Sequence, residues 1–236
     1  MYSLTNPWTN LNVASNSEDF SLSRSNISSG SAGFYQFSNP ALLPKTNNYS
    51  FGMCYNSMTL DRSAQTFSFN FKLPPKAGIG LAILRSGTSD IPGRDTYNNP
   101  TNDFDNYDIL GMLSFGVSMN EYFSIGINIK ASYSNLNDLF QNNNDANYSI
   151  SSNGVGIDLG ISYDYSKLSL GIKVENIESS KNWDLNLGDE SGTYEEKIPI
   201  TYKVGTHYKV SNQLIFYMEN DKINDVNSTK CGMDYN

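Results

Sequence analysis

Carboxylates gather in one stretch of this 236-residue chain, where Asp90 and Asp95 precede the run Asn102-Asp103-Phe104-Asp105-Asn106-Tyr107-Asp108. Hard oxygen ligands of this kind suit Ca²⁺, but the spacing lacks the central Gly and the twelfth-position Glu of an EF-hand loop. The run reads as a solvated acidic loop, and no metal is expected. The single histidine, His207, lies between Lys203 and Lys209. Nucleophilic catalysis needs a nucleophile and an orienting carboxylate beside such a group, and no motif marks either. The chain therefore reads as a non-enzyme with no catalytic residues and no cofactor. Cys54 and Cys231 are too few for a disulfide framework or a CxxC-type zinc site. What remains is a dispersed set, Asn128, Lys130, Asp158, Lys173, Glu175, Lys203 and His207. Its meaning depends on the elements that carry it.

Those elements announce themselves by alternation. In Thr66-Phe67-Ser68-Phe69-Asn70-Phe71-Lys72-Leu73 every odd position is apolar and every even one polar. Phe123, Ile125, Ile127 and Ile129 alternate with Ser124, Gly126, Asn128 and Lys130; Val155 to Tyr163, Leu168 to Val174 and Ile200 to Val210 repeat the pattern. A period of two means strands with one apolar and one polar face. Helical spacing is nearly absent, so the chain is all-β. The pattern predicts strands near 49–57, 64–73, 77–85, 108–119, 122–133, 153–164, 167–177, 198–210 and 213–221, with a last one starting near 229. They run about 9–13 residues, where globular strands have a mode of ~5–6 and a tilted membrane strand needs ~9–11.

Connections alternate as well. Tight turns at 74–76, 120–121, 165–167 and 211–213 are separated by long polar segments at 86–107, 134–152 and 178–197. Short turns at one end and long loops at the other are the habit of an outer-membrane barrel, and strands in lipid must close on themselves to pair every backbone group. The dispersed charged set then falls on the polar face and would line a lumen. Tyr107, Tyr122, Tyr133, Tyr163, Tyr165 and Tyr208 fall near strand ends, where an aromatic girdle sits. Residues 1–45 lack long alternation and read as an irregular or short-helical plug-like segment before a barrel spanning 46–236.

Composition agrees. Apolar residues are 38% and charged residues only 17%, while polarity comes from 31 Asn and 32 Ser. A formal net charge of −8 argues against a nucleic-acid partner, which requires a basic face. No run approaches the ~18 apolar residues of a membrane helix. Met1 to Trp8 carries neither the positive start nor the apolar core of a signal peptide. An outer-membrane location would require such a segment upstream.

Several motifs add to this. Phe37-Ser38-Asn39-Pro40-Ala41-Leu42 resembles the Asn-Pro-Ala-Gly-Leu element that precedes the first strand in PorV/PorQ-type proteins, with Leu42 in place of Gly. These proteins belong to the superfamily of FadL-like (long-chain fatty-acid transporter) outer-membrane barrels. Asp158 to Tyr163 with Leu168 to Gly171 and Glu175-Asn176-Ile177 resembles the family's central hairpin, and Glu196-Lys197-Ile198-Pro199 with Val204 to Tyr208 resembles a later strand. The resemblance implies about 14 strands in an antiparallel up-and-down transmembrane barrel, of which about ten are present. Lys230 to Asn236 lies inside a strand, so the chain is expected to be incomplete at its C-terminus.

The closer likeness implies a part in type IX secretion, binding and shuttling secreted cargo proteins at the bacterial outer membrane beside other secretion-system components and outer-membrane lipid. The FadL-like version implies uptake of hydrophobic small molecules past the plug. A lumen face rich in Gly, Asn and Lys, with little apolar lining, favours the first. The residues also leave open a soluble secreted β-sandwich acting as an adhesin or glycan-binding module. In that case Phe67, Phe69 and Phe71 would be core between two sheets.

Overall fold

A computed structural model describes residues 13–94, 97–100, 103–136, 148–187 and 190–235. These described residues build one antiparallel sheet of 11 strands. These are β1 (Tyr49–Ser57), β2 (Arg62–Leu73), β3 (Ala77–Ile91), β4 (Phe104–Ser118), β5 (Phe123–Asn135), β6 (Tyr148–Tyr165), β7 (Leu168–Leu187), β8 (Glu190–Lys197), β9 (Thr201–Lys209), β10 (Leu214–Ile223) and β11 (Val226–Tyr235). Neighbours in sequence are neighbours in space from β1 to β7, then β9, β10 and β11; β8 pairs with the upper part of β7. Among the described residues, no helix is long and apolar enough to cross a membrane.

The two faces differ as the alternation demands. Phe67, Phe69, Leu81, Ile83, Leu113, Phe115, Ile129, Leu159 and Ile172 point outward and are exposed. Their polar neighbours Ser68, Asn70, Ser114, Asn128, Asp158 and Lys173 are buried inside. An apolar surface left bare on so many adjacent strands suits hydrocarbon, not water. A sandwich would have buried those side chains under a second sheet, so the sandwich alternative falls. The sheet curls into a wall around the N-terminal segment, which touches it at both ends. Phe34 lies on Gly52 of β1, and Leu22 and Ser25 lie on Gly232 of β11.

Tyrosines mark both rims. Tyr122 and Tyr165 pack 6.1 Å apart at the short-turn end, while Tyr107 and Tyr133 are 6.3 Å apart toward the long loops. Ile129, mid-strand and 54% exposed, gives a direct check of the outward face. Arginine there is expected to destabilise the barrel by about 2–4 kcal/mol in a bilayer, read from urea unfolding in lipid vesicles. An unchanged midpoint would mean that this face does not meet hydrocarbon.

Several strands, β3, β4, β6 and β7 among them, outrun their expected lengths, whereas β9 falls short of its own. The segment 178–197, expected as a loop, instead continues β7 to Leu187 and returns as β8, in register from Ser180↔Lys197 to Leu187↔Glu190. This eleventh strand has polar residues on both faces. It is held by backbone pairing and by Trp183, whose indole Nε1 donates to Glu196 at 2.9 Å. At 198–200 the chain crosses back to start β9, and below that point β9 replaces β8 as the partner of β7.

Candidate functional site

The interior is built around an irregular plug comprising α1 (Ser17–Ser21), α2 (Tyr35–Ser38) and a 3-10 turn at Pro40–Lys45. So irregular a segment leaves backbone groups without partners, and in a dry interior each must be satisfied. The wall satisfies them with side chains. Asn128 Nδ2 donates to the Gln36 carbonyl at 2.9 Å, and Lys173 Nζ donates to the Phe37 carbonyl at 3.1 Å. A Glu219 carboxylate oxygen accepts from the Ile27 amide at 3.0 Å. The His207 ring lies with Nδ1 3.0 Å from Ser28 Oγ.

The plug answers with side chains of its own. Asn39 is fully buried and donates through Nδ2 to the carbonyls of Ile161 at 2.9 Å and Ile27 at 3.2 Å, while its Oδ1 accepts from the Ala41 amide at 3.0 Å. Gln36 donates to Leu81 O at 3.3 Å and accepts from Ser68 Oγ at 3.0 Å. Of the expected motif residues, Asn39 is this anchor. Pro40 and Ala41 supply the backbone that lies against the wall, and glycine is required where it does so. A Cβ at Gly116 would stand 2.5 Å from the Pro40 oxygen, and one at Gly126 would stand 2.5 Å from the Ala41 nitrogen.

Above the plug a charge network crosses the lumen. Asp158 holds Lys130 at 2.5 Å and Lys173 at 3.6 Å; Glu175 holds Lys173 at 2.8 Å and Lys203 at 3.0 Å. Lys173 and Lys203 stand directly opposite each other on β7 and β9. Like charges so placed repel, and Glu175 bridges them. A bulge shapes the network. Asn176 and Glu178 have φ of +63° and +46°, and the β6–β7 register shifts beside them. The bulge turns the Asn176 amide inward to Asp158 Oδ1 at 3.0 Å, and the Asn176 side-chain oxygen accepts from Lys130 at 2.6 Å. All seven expected lumen residues thus face the interior. Asn128 and His207 meet the plug, Lys173 meets both the plug and the network, and Lys130, Asp158, Glu175 and Lys203 belong to the network. Lys209 is exposed at the short-turn rim.

In the acidic run, Asp95 and Asn102 lie outside the described residues. Among the described residues no group of three or more His, Cys, Asp or Glu side chains is placed to hold a metal. Asp105 accepts from the Asp90 amide at 3.0 Å, and Asp108 accepts from Ser134 and lies 3.6 Å from Lys181.

A cavity of about 600 Å³ sits beside the network and reaches the β10–β11 hairpin at the long-loop end. Its lining mixes charged side chains, Lys130, Asp158, Lys173, Glu175 and Lys203 among them, with the apolar Val13, Phe37, Leu110, Met112, Ile223 and Val226; Met112 stands directly opposite Lys130 in the β4–β5 register. Leu110 and Met112 belong to a buried cluster with Ala64, Ala82, Leu84 and Ile198 on the inner side of β2–β4 and the β8–β9 crossing. This corrects the expectation of a lumen with little apolar lining. The signal lay in Ile109-Leu110-Gly111-Met112-Leu113, where alternation breaks because both faces are apolar. Sequence reasoning also passed over Gln36, Glu219, Asp221 and Lys230.

No protein-family model matches this sequence, and comparison with curated proteins gives no match. Solved structures do resemble it. The toluene transporter TbuX of Ralstonia pickettii matches with a TM-score of 0.52 at 13% identity, covering 92% of this chain and 78% of that one. The CymD monoaromatic hydrocarbon channel matches with a TM-score of 0.56 at 16% identity, covering 86% and 68%. The fold that these likenesses define is an all-β antiparallel barrel.

Proposed function

We propose that this protein resides in the bacterial outer membrane and passes small, largely apolar molecules through its lumen by binding and release, without covalent chemistry. The observation that carries this reading is the cavity above the plug, whose apolar lining residues Leu110, Met112, Phe37 and Ile223 are fit to receive an apolar body. Its volume is within the ~300–1,000 Å³ usual for small-molecule sites. The bare outer face supplies lipid as the wall's surroundings. Support also comes from the similar structures, both named for passage of small aromatic hydrocarbons. They favour uptake over the secretion role that the sequence motifs imply.

The test is uptake of radiolabelled toluene by Gram-negative cells carrying the full chain in their outer membrane, against cells carrying an empty vector. Faster uptake is expected. Met112→Glu, which replaces an apolar lining residue of the cavity by a charged one, is expected to reduce the gain about tenfold, with Leu110→Ala giving a smaller loss. Uptake no faster than in vector cells, from a chain shown folded by its heat-dependent gel mobility, would overturn the reading.

A further inference from the structure

On the outward side of β2 and β3 the change from apolar to polar falls at one step of the ladder. The pairs Phe69↔Leu81 and Phe67↔Ile83 are followed by Gln65↔Arg85 and then by Ser63↔Gly87. Arg85 therefore stands exposed at the upper edge of the apolar band, beside Ile109 and one outward step below Tyr107 of the girdle. Across the outward positions of β2 to β6 it is the one cation among the described residues. Neutral groups hold it in place. Its Nη1 donates to Gln65 Oε1 at 3.2 Å, Gln65 Nε2 donates to Ser63 Oγ at 3.0 Å, and the guanidinium carbon lies 5.1 Å from the centre of the Tyr107 ring. Asn135 Nδ2 donates to the Tyr107 hydroxyl at 3.3 Å. Among the described residues Arg85 makes no ion pair. Asp105, one outward step above Tyr107, accepts from the Asp90 amide instead.

A guanidinium carries five N–H donors in a planar fork, and Gln65 meets one of them. Gln65 and Tyr107 fix its orientation without supplying a negative charge. A cation on a lipid-facing wall belongs at the edge of the hydrocarbon, where head groups lie, and the fork matches the oxygens of a phosphate. Building on the proposed residence in the outer membrane, we infer that Arg85, set by Gln65 and Tyr107, binds the phosphate of a lipid head group in the leaflet at the long-loop end. Ile83, Leu81 and Phe67, exposed just below, give the acyl chains of that lipid an apolar surface. A soluble phosphate would gain the fork but not this surface, so the site selects the lipid.

The test is native mass spectrometry of the full chain released from detergent micelles, titrated with phosphorylated lipid A, with the same lipid stripped of its phosphates, and with inorganic phosphate as competitor. The phosphorylated lipid is expected to bind at least about tenfold more tightly than the stripped one. Arg85→Gln is expected to erase that preference and Arg85→Lys to keep part of it, since a point charge remains without the fork. Lys222→Gln, at an exposed lysine on β10, is expected to leave it unchanged. Equal binding of the two lipids, a preference that survives in Arg85→Gln, or displacement of the lipid by inorganic phosphate overturns the inference. If the Gln variant does not fold, the ratio in the unaltered chain and its fall in Arg85→Lys decide. Toluene uptake without a phosphate preference removes this inference and leaves the uptake role standing. A chain that neither inserts into lipid vesicles nor speeds toluene uptake removes both.

Discussion

Asp158→Asn is expected to destabilise the barrel by about 3–5 kcal/mol, because removing one partner of a buried ion pair strands the other. The residue is 1% exposed, with Lys130 at 2.5 Å and Lys173 at 3.6 Å, and it also accepts from Asn128 and the Asn176 amide. An Asn side chain keeps the shape but removes the charge that both buried lysines were placed around. The measurement is the urea midpoint of the folded band in gel-mobility assays on the chain in lipid vesicles. Lys45→Ala is the contrast. Lys45 pairs with Asp164 at 2.8 Å at the turn rim, where both side chains are about one-third exposed, so its loss should cost under about 1 kcal/mol. If Lys130→Met is added to Asp158→Leu, part of the loss should return, since an apolar pair avoids the desolvation cost. Equal effects for Asp158→Asn and Lys45→Ala would mean that the network is wet.

Gly126→Val is expected to unseat the plug. Its side chain would occupy the space of the Pro40–Ala41 backbone, which also lies against the wall at Gly116. Overpacking of this kind costs about 1–3 kcal/mol by itself. The larger effect is the loss of the Asn39 contacts that depend on the same seat. Limited trypsin digestion reads it out, because Arg24 lies half-buried within the plug. Cleavage after Arg24 should accelerate at least about tenfold, while Gly192→Val, at a glycine with open space around it, should change nothing. Identical digestion of the two variants would show that the wall yields and the seat is soft.

The sequence made most of the wall legible. Alternation in Thr66–Leu73 or Phe123–Tyr133 is imposed by a boundary between lipid and lumen that acts on each residue separately, so it can be read one residue at a time. β8 was hidden because Glu190–Lys197 stands where neither face meets an apolar phase, leaving only backbone pairing and the Trp183–Glu196 contact to fix it. The sequence reading of residues 1–45 went no further than an irregular or short-helical segment, and nothing local to Asn39 reveals that its amide reaches Ile161, which lies 122 positions away. The polar lumen positions were found for the same reason as the strands. The apolar cluster was missed because Leu110 and Met112 share a run with outward Ile109 and Leu113, and uniform hydrophobicity hides which side each serves.

The placement of Asn39 has a consequence for biogenesis. The earliest-synthesised part of the described chain finds its hydrogen-bond acceptors on strands made much later, at Ile161 and Ile172. Until those strands are delivered, the acceptor at hand is the Ile27 carbonyl of the segment itself. Curling the sheet first would leave the segment to be threaded afterwards through a narrowing ring against glycines that permit no slack. The segment is better seen as the mandrel on which the cylinder is wound, present from the start and enclosed as each hairpin is added.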